Sequence, residues 1–288
     1  MNADSRFVIV GLGLLGGSYA RGLSQKGYHS ITAIDTNPQA LEWARQAGYI
    51  EKGYTKDFEP ALAEADYLVI SLYPEKFIQW VEAYGRYLKP GCIVTDVCGV
   101  KSSLVGPVQA ALPEGVEFIA SHPMAGKEVS GVENSHLVDF APANFIIVPT
   151  EKNTSRGIQF AIDLAKTLGF AHVRVANPDE HDKMIGYVSQ LTHAIAVSLM
   201  CQPDAERFAP YTGDSFRDLT RIARINGPLW AQLFLANKHY LTEEIDSFTQ
   251  RLQQLKGFVQ ADDAQGLEEM FRRSAAARAA FDVNERED

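Results

Sequence analysis

Phe7-Val8-Ile9-Val10-Gly11-Leu12-Gly13-Leu14-Leu15-Gly16 is the stretch that decides how the chain is read. Four apolar residues in a row suit a strand buried on both faces, and three glycines follow at GxGxxG spacing. In that arrangement the first glycine permits a tight turn and the second lets the backbone approach a pyrophosphate. The third lets a helix pack closely. From Leu14 onward the pattern is that of an amphipathic helix, so free amides and the positive end of its dipole would face the phosphates. Among 22 glycines the motif alone is cheap; its place between a strand and a helix makes it informative.

A second apolar run, Ile31 to Ile34, ends at Asp35. A carboxylate there would accept from adenosine ribose hydroxyls and repel a 2′-phosphate, which favours NAD over NADP. Asp35 would serve equally as a turn residue before the helix that Asn37-Pro38 starts, and the two roles are compatible. Cofactor contacts are expected from Gly11, Gly13, Leu14, Leu15, Gly16, Asp35 and Ser71, the last lying in a third run, Tyr67 to Leu72.

Further strands are expected at Ile93 to Asp96, Phe118 to Ser121, Phe145 to Val148 and Val173 to Val175, with helical patterns between them. Strict alternation of this kind predicts a doubly wound α/β domain. After Asn177-Pro178 no convincing strand follows. Helical patterns cover Asp179 to Met200, Asp214 to Ala223, Pro228 to Leu235, Lys238 to Val259 and Ala264 to Phe281. The expected layout is a Rossmann-type NAD-binding domain over 1–176 and an all-helical substrate and dimerisation domain over 177–288. The charged tail Asn284-Glu285-Arg286-Glu287-Asp288 reads as frayed.

Composition narrows the function. A net charge of -9 argues against nucleic acid and anionic membrane as partners, since both demand a basic footprint. Any anion bound must therefore be met by a local cluster of positive groups. Cys92, Cys98 and Cys201 are odd in number and lack zinc-ligand spacing, so buried thiols in a reducing compartment are expected, with no disulfide and no metal. Met1 to Arg6 lacks the apolar core of a signal peptide, and runs such as Ile195 to Met200 are too short to span a bilayer. The expectation is a soluble, cytoplasmic protein.

Three segments carry candidate chemistry. Ser121-His122-Pro123-Met124-Ala125-Gly126-Lys127-Glu128 follows a strand, where a neutral imidazole would reach a nicotinamide and accept a proton near pH 7. A structural turn histidine fits the same position. His193, in Ser189-Gln190-Leu191-Thr192-His193-Ala194, reads first as a satisfied core histidine on an apolar helix. In Phe216-Arg217-Asp218-Leu219-Thr220-Arg221-Ile222-Ala223-Arg224, three arginines share a flank at spacings of three and four. That pattern serves a carboxylate clamp or, with Asp214 and Asp218, a solvated ion-pair face.

Taken together, GLGLLG, Asp35, SHPMAG at Ser121 to Gly126, SQLTHA at Ser189 to Ala194 and FRDLTRIA at Phe216 to Ala223, followed by Gly227-Pro228-Leu229-Trp230, resemble the prephenate/arogenate dehydrogenase family of tyrosine biosynthesis. The resemblance spans nearly the whole chain in the family's order. It implies oxidative decarboxylation of prephenate, or of its amino analogue arogenate, with hydride passing to NAD. It also implies His122 as the base for the ring hydroxyl, His193 as a second active-site histidine, and Arg221 as the holder of a substrate carboxylate. Glu128 would order the pocket, with Asp218, Trp230 and Gly99 lining it. The family commonly places a serine where Gly99 stands in Asp96-Val97-Cys98-Gly99-Val100-Lys101, which leaves Ser102, Ser121, Cys98 or a water to substitute. Gln190 likewise stands where many relatives carry a histidine.

A homodimer through apolar helical faces such as Leu229 to Phe234 is expected, and inhibition by tyrosine is compatible with a shared ring and carboxylate. Two other readings use the same scaffold. One is a β-hydroxyacid dehydrogenase or imine reductase employing Lys183, and the other an NAD-binding sensor without chemistry.

Overall fold

The six-stranded parallel sheet at the centre of the fold runs in the order β3-β2-β1-β4-β5-β6. A computed structural model describes residues 1–284, with side chains of 1–281; the expectation for the tail at 285–288 lies outside the described residues. β1 (Phe7–Val10) leads through the glycine turn into α1 (Leu14–Gln25). β2 (Ile31–Ile34), α2 (Pro38–Gln46), β3 (Lys52–Tyr54), α3 (Glu59–Glu64), β4 (Tyr67–Ile70), α4 (Pro74–Tyr84), β5 (Ile93–Asp96), α5 (Val105–Ala111) and β6 (Glu117–Phe118) follow.

Alternate residues of these strands feed two separate cores. Phe7, Ile9, Ile31, Ala33, Val69 and Ile93 pack on one face of the sheet, and Val8, Val10, Ile34, Leu68, Ile70 and Val94 on the other. This is why the strands read as unbroken apolar runs, each buried Val, Ile or Leu contributing about 1.5–3 kcal/mol. β3, with sequence Lys-Gly-Tyr and mostly exposed, gave no such signal because it is a short edge strand. α2 starts as its sequence dictates: the Asn37 side chain accepts from the amides of Gln39 and Ala40, and Pro38 occupies the first turn.

The expected strand from Phe118 to Ser121 is broken at Ile119. Its first half is β6; its second half is β7 (Ala120–Pro123), which leaves the parallel sheet and pairs antiparallel with β8 (Asn144–Val148), His122 lying opposite Ile146. After α6 (Ser155–Leu168), β9 (His172–Val175) pairs parallel with β8. The last three strands thus form a mixed three-stranded sheet rather than extending the parallel one.

Beyond β9, helices succeed one another through the described residues. α7 (Pro178–Ile185) opens with a capping box between Asn177 and Glu180. A six-residue π-helical segment, Gly186–Leu191, separates it from α8 (Thr192–Met200). α9 (Asp214–Thr220), a 3₁₀ turn at Arg221–Ala223 and α10 (Gly227–Ala236) complete the first compact unit, Met1–Asn237. The second unit, from Lys238 onward, is a helical hairpin of α11 (Lys238–Gln260) and α12 (Ala264–Asn284). The division by packing therefore falls after Asn237, and Ala176 lies inside the first unit. No single helix among the described residues is long and apolar enough to cross a membrane.

Candidate active site

The glycine turn is built as its spacing requires. Gly11 has φ +88°, and a Cβ there would lie 2.5 Å from the carbonyl oxygen of Ser71. A Cβ on Gly16 would stand 1.9 Å from the Gly11 carbonyl oxygen, so the helix can pack this close to β1 only with glycine. Gly13 differs: a Cβ would meet nothing within 4 Å, and no side chain caps the first amides of α1. An open backbone surface beside free helix amides suits a pyrophosphate. Asp35 holds the turn itself, its Oδ2 accepting from the Leu12 amide at 2.6 Å and its Oδ1 from the Asn37 amide at 2.8 Å. The turn-residue role is thus present, and the carboxylate's remaining lone pairs are what a ribose would use.

Gly13, Leu14, Leu15 and Ser71 line one end of a cavity of about 820 Å³, whose other walls include Gly99, His122, Glu128, His193, Arg221 and Trp230. Six residues expected at the substrate and four expected at the cofactor therefore share one space. Asp218 is exposed and lies off the cavity lining, as do Gly11, Gly16 and Asp35, which act by shaping the turn.

His122 is held from behind by groups that sequence reasoning did not single out. Its Nδ1 lies 2.9 Å from Nε2 of His181, and Nδ1 of His181 lies 2.7 Å from Oδ1 of Asp182. Burial alone would raise the Asp182 pKa, but hydrogen bonds from His181 and from the amides of Ser102 and Lys101 win and hold it below the usual value. As an ionised acceptor, Asp182 fixes the proton of His181 on Nδ1. His181 then offers Nε2 as an acceptor, His122 donates from Nδ1, and Nε2 of His122 keeps its lone pair. Burial, then the neighbouring His181 and Lys101, push the His122 pKa well below its usual 6.5. The ring is neutral near pH 7, the state a proton acceptor needs. The one signal available beforehand was a His-Asp pair four and five residues into a helix whose capping box fixes its phase.

The loop carrying Gly99 is pinned beneath this ring. Lys101, fully buried, donates from Nζ to Asp96 Oδ2 at 2.8 Å and to the Cys98 carbonyl at 2.6 Å, while Asp96 also accepts from the amides of Cys98 and Ser121. Of the suggested replacements for the family's serine, Ser121 is committed to Thr95 and the Asp96 carbonyl, and Ser102 to the Pro178 carbonyl. Burial pushes the Cys98 thiol up to about 11, so it remains protonated. The ring partner is His181 instead. A Cβ on Gly99 would sit at ordinary contact distances, 3.5 Å from Leu233 and 3.8 Å from His122 Cε1. Gln190, buried, donates to the Leu233 carbonyl and accepts from Asn237.

His193 is no plain core residue: it lines the same cavity with its ring 3.7 Å from that of Trp230 and tilted 30°. Its Nδ1 donates to the Ser189 carbonyl at 2.9 Å, leaving Nε2 as acceptor. Burial, helped by Arg221, lowers its pKa against the opposing pull of the Ser189 bond and Glu128. Arg221 donates from Nη1 to Glu128 Oε1, and is otherwise exposed. Lys183 is exposed and does not line the cavity.

A glycine turn opening onto a cavity that holds a neutral, oriented imidazole and an arginine defines a nucleotide-dependent dehydrogenase. Residues 19–174 match the family model described as prephenate dehydrogenase, nucleotide-binding domain, and residues 177–273 match the one described as prephenate dehydrogenase, dimerization domain. The chain belongs to the prephenate dehydrogenase family. It is 28% identical to a prephenate dehydrogenase of Bacillus subtilis, over 92% of this chain and 73% of that protein. It is also 28% identical to a cyclohexadienyl dehydrogenase of Zymomonas mobilis, over 98% and 97% of the two chains. Among solved structures, the prephenate dehydrogenase of Aquifex aeolicus in complex with hydroxyphenyl propionate and NAD+ matches with a TM-score of 0.87 and 29% identity, covering 97% of this chain and 99% of that one. A 3-hydroxyisobutyrate dehydrogenase from Salmonella typhimurium, at 14% identity and a TM-score of 0.58, shares the fold.

Proposed function

We propose that the chain catalyses oxidative decarboxylation of prephenate to 4-hydroxyphenylpyruvate with NAD as oxidant. The observation that carries this reading is the convergence of His122, backed by His181 and Asp182, with Arg221 and the glycine turn on one cavity. NAD, when bound, supplies the hydride acceptor. Nε2 of His122 takes the proton of the ring hydroxyl, and the relay to Asp182 steadies the positive charge that develops on the imidazole. Arg221 orients the substrate by a carboxylate, using the guanidinium donors that its bond to Glu128 leaves free. His193 and Trp230 form the wall against which a ring stacks. The carbon–carboxylate bond to the ring breaks as carbon dioxide leaves, and aromatisation drives the step, so these residues need mainly orient and deprotonate.

We assign the NAD-binding part to 1–176 and the helical substrate and dimerisation part to 177–288, a reading supported by family models that match residues 19–174 and 177–273. The assembly is read as a homodimer, supported by exposed Met184 on α7, Tyr187 and Val188 on the π segment, and Leu199 and Met200 on α8. Tyrosine, sharing ring and carboxylate with the substrate, would inhibit at this cavity. The cytoplasm is the assigned location, with neither membrane nor nucleic acid as partner. Lys183, off the cavity, gives no support to the β-hydroxyacid reading. The test is to offer purified protein prephenate and NAD and follow reduced nicotinamide by absorbance. Reduction that depends on prephenate is expected, and none with either prephenate or arogenate would sink the assignment.

A further inference from the structure

The cavity carries more positive charge than one carboxylate requires. The lysines, arginines and carboxylates of its lining are Lys127, Glu128, Arg221 and Arg224, with His122 and His193 held neutral. Glu128 is taken up by Arg221. Among the described residues no carboxylate lies within ion-pair distance of Lys127 or Arg224, and neither donates a side-chain hydrogen bond. Three cations therefore face a single acid inside a protein whose net charge is -9. Two cations without an acidic partner on the lining of one cavity attract an anion and repel an ammonium.

We infer that Lys127 and Arg224 form a second anion subsite that receives the side-chain carboxylate of the substrate, and so select the keto acid prephenate over its amino analogue arogenate. The inference rests on the functional reading above and adds to it a pair of specificity-determining residues. Lys127 adjoins Glu128 in the loop after β7. Arg224 directly follows the 3₁₀ turn Arg221–Ala223, and Asn226, just beyond, donates to the Tyr73 hydroxyl at 2.7 Å, both residues lining the cavity. Prephenate presents two carboxylates and no cation, so one meets Arg221 and the other this pair. Arogenate carries an ammonium beside its side-chain carboxylate, and the lining offers that ammonium no free acid.

The same cations would suit a pyrophosphate, so the experiment separates substrate from cofactor. Steady-state constants for prephenate, arogenate and NAD are measured on the wild type and on the Arg224→Gln, Lys127→Gln and Arg224→Glu variants. The wild type should prefer prephenate by about tenfold or more in kcat/KM. Each neutral variant should raise the KM for prephenate by about tenfold, leave arogenate and NAD nearly unchanged, and narrow the preference. Arg224→Glu should turn it toward arogenate. Equal or better use of arogenate by the wild type overturns the inference. So does a rise in the KM for NAD with an unaltered prephenate-to-arogenate ratio, which would give the arginine to the cofactor. Both results leave the dehydrogenase reading intact, whereas turnover of neither acid by the wild type removes the two together.

Discussion

Nδ1 of His122 and Nε2 of His181 lie 2.9 Å apart, and because Asp182 fixes the second ring's proton, the first ring has only one way to sit. A base whose tautomer is set before substrate arrives needs no reorganisation at the moment of proton transfer.

Replacing His122 by Asn should lower kcat by about a hundred- to ten-thousandfold, the range for a positioned base, with the KM for NAD little changed. Stopped-flow measurement of reduced nicotinamide checks this. A loss smaller than about tenfold would take the base role away from His122.

His181 offers a finer test. His181→Gln keeps an acceptor for the His122 Nδ1–H, whereas His181→Leu leaves that donor buried and unpaired. The Leu variant should lose about ten- to a hundredfold in kcat, and the Gln variant clearly less. Equal losses would reduce His181 to a packing residue.

Arg221→Gln should act on substrate. Losing a charged hydrogen bond at an exposed site costs about 1.5–3 kcal/mol, or roughly ten- to a hundredfold in the KM for prephenate. If cofactor affinity fell instead, the arginine would belong to the nucleotide.

The two glycines next to the chemistry should respond in opposite ways. Gly16→Ala forces a Cβ to within 1.9 Å of the Gly11 carbonyl oxygen and should cost about 1–3 kcal/mol or more, together with NAD binding. Gly99→Ala, whose Cβ would meet Leu233 at 3.5 Å, should leave the melting temperature nearly unchanged. Thermal melts with and without NAD separate the two.

The pH dependence follows from the buried rings. The native His122 and His181 have pKa values below the usual 6.5, so below that pH the unfolded chain binds protons the native chain refuses. Their contribution is whole above pH 6.5 and lost as pH falls toward the native values, at up to about 1.4 kcal/mol per pH unit for each ring. The urea midpoint should drop between about pH 7.5 and about pH 5.5, and kcat should keep its plateau to below the usual imidazole range before falling. A midpoint that holds steady over that interval would mean that these rings are solvated.

The glycine turn, Asp35 and the buried strands were legible because each is a local pattern: a strand of the parallel sheet advertises both of its faces, and GxGxxG demands φ and close approach within six residues. His193, which sequence physics alone reads as core, was assigned to the site by resemblance, and its side chain lines the cavity. The hidden part was set by distance in the chain. Asp182 reaches the amides of Lys101 and Ser102 some eighty residues away, and His181, on a helix, meets His122, on β7, across a sequence separation of 59 residues. β3 was invisible for the opposite reason, an exposed edge that needs no apolar pattern.

The wide turn at Gly186–Leu191 has a bearing on how such a site could be retuned over generations. Every residue gained or lost in a helix rotates the remainder of that helix by about 100°, and a π segment is where such a slip is tolerated. His181 precedes it and His193 lies beyond it, so the proton relay and the stacking wall are mounted on one rod with a swivel between them. Lineages could therefore re-aim the wall that grips the ring while the machinery behind the base keeps its bearings.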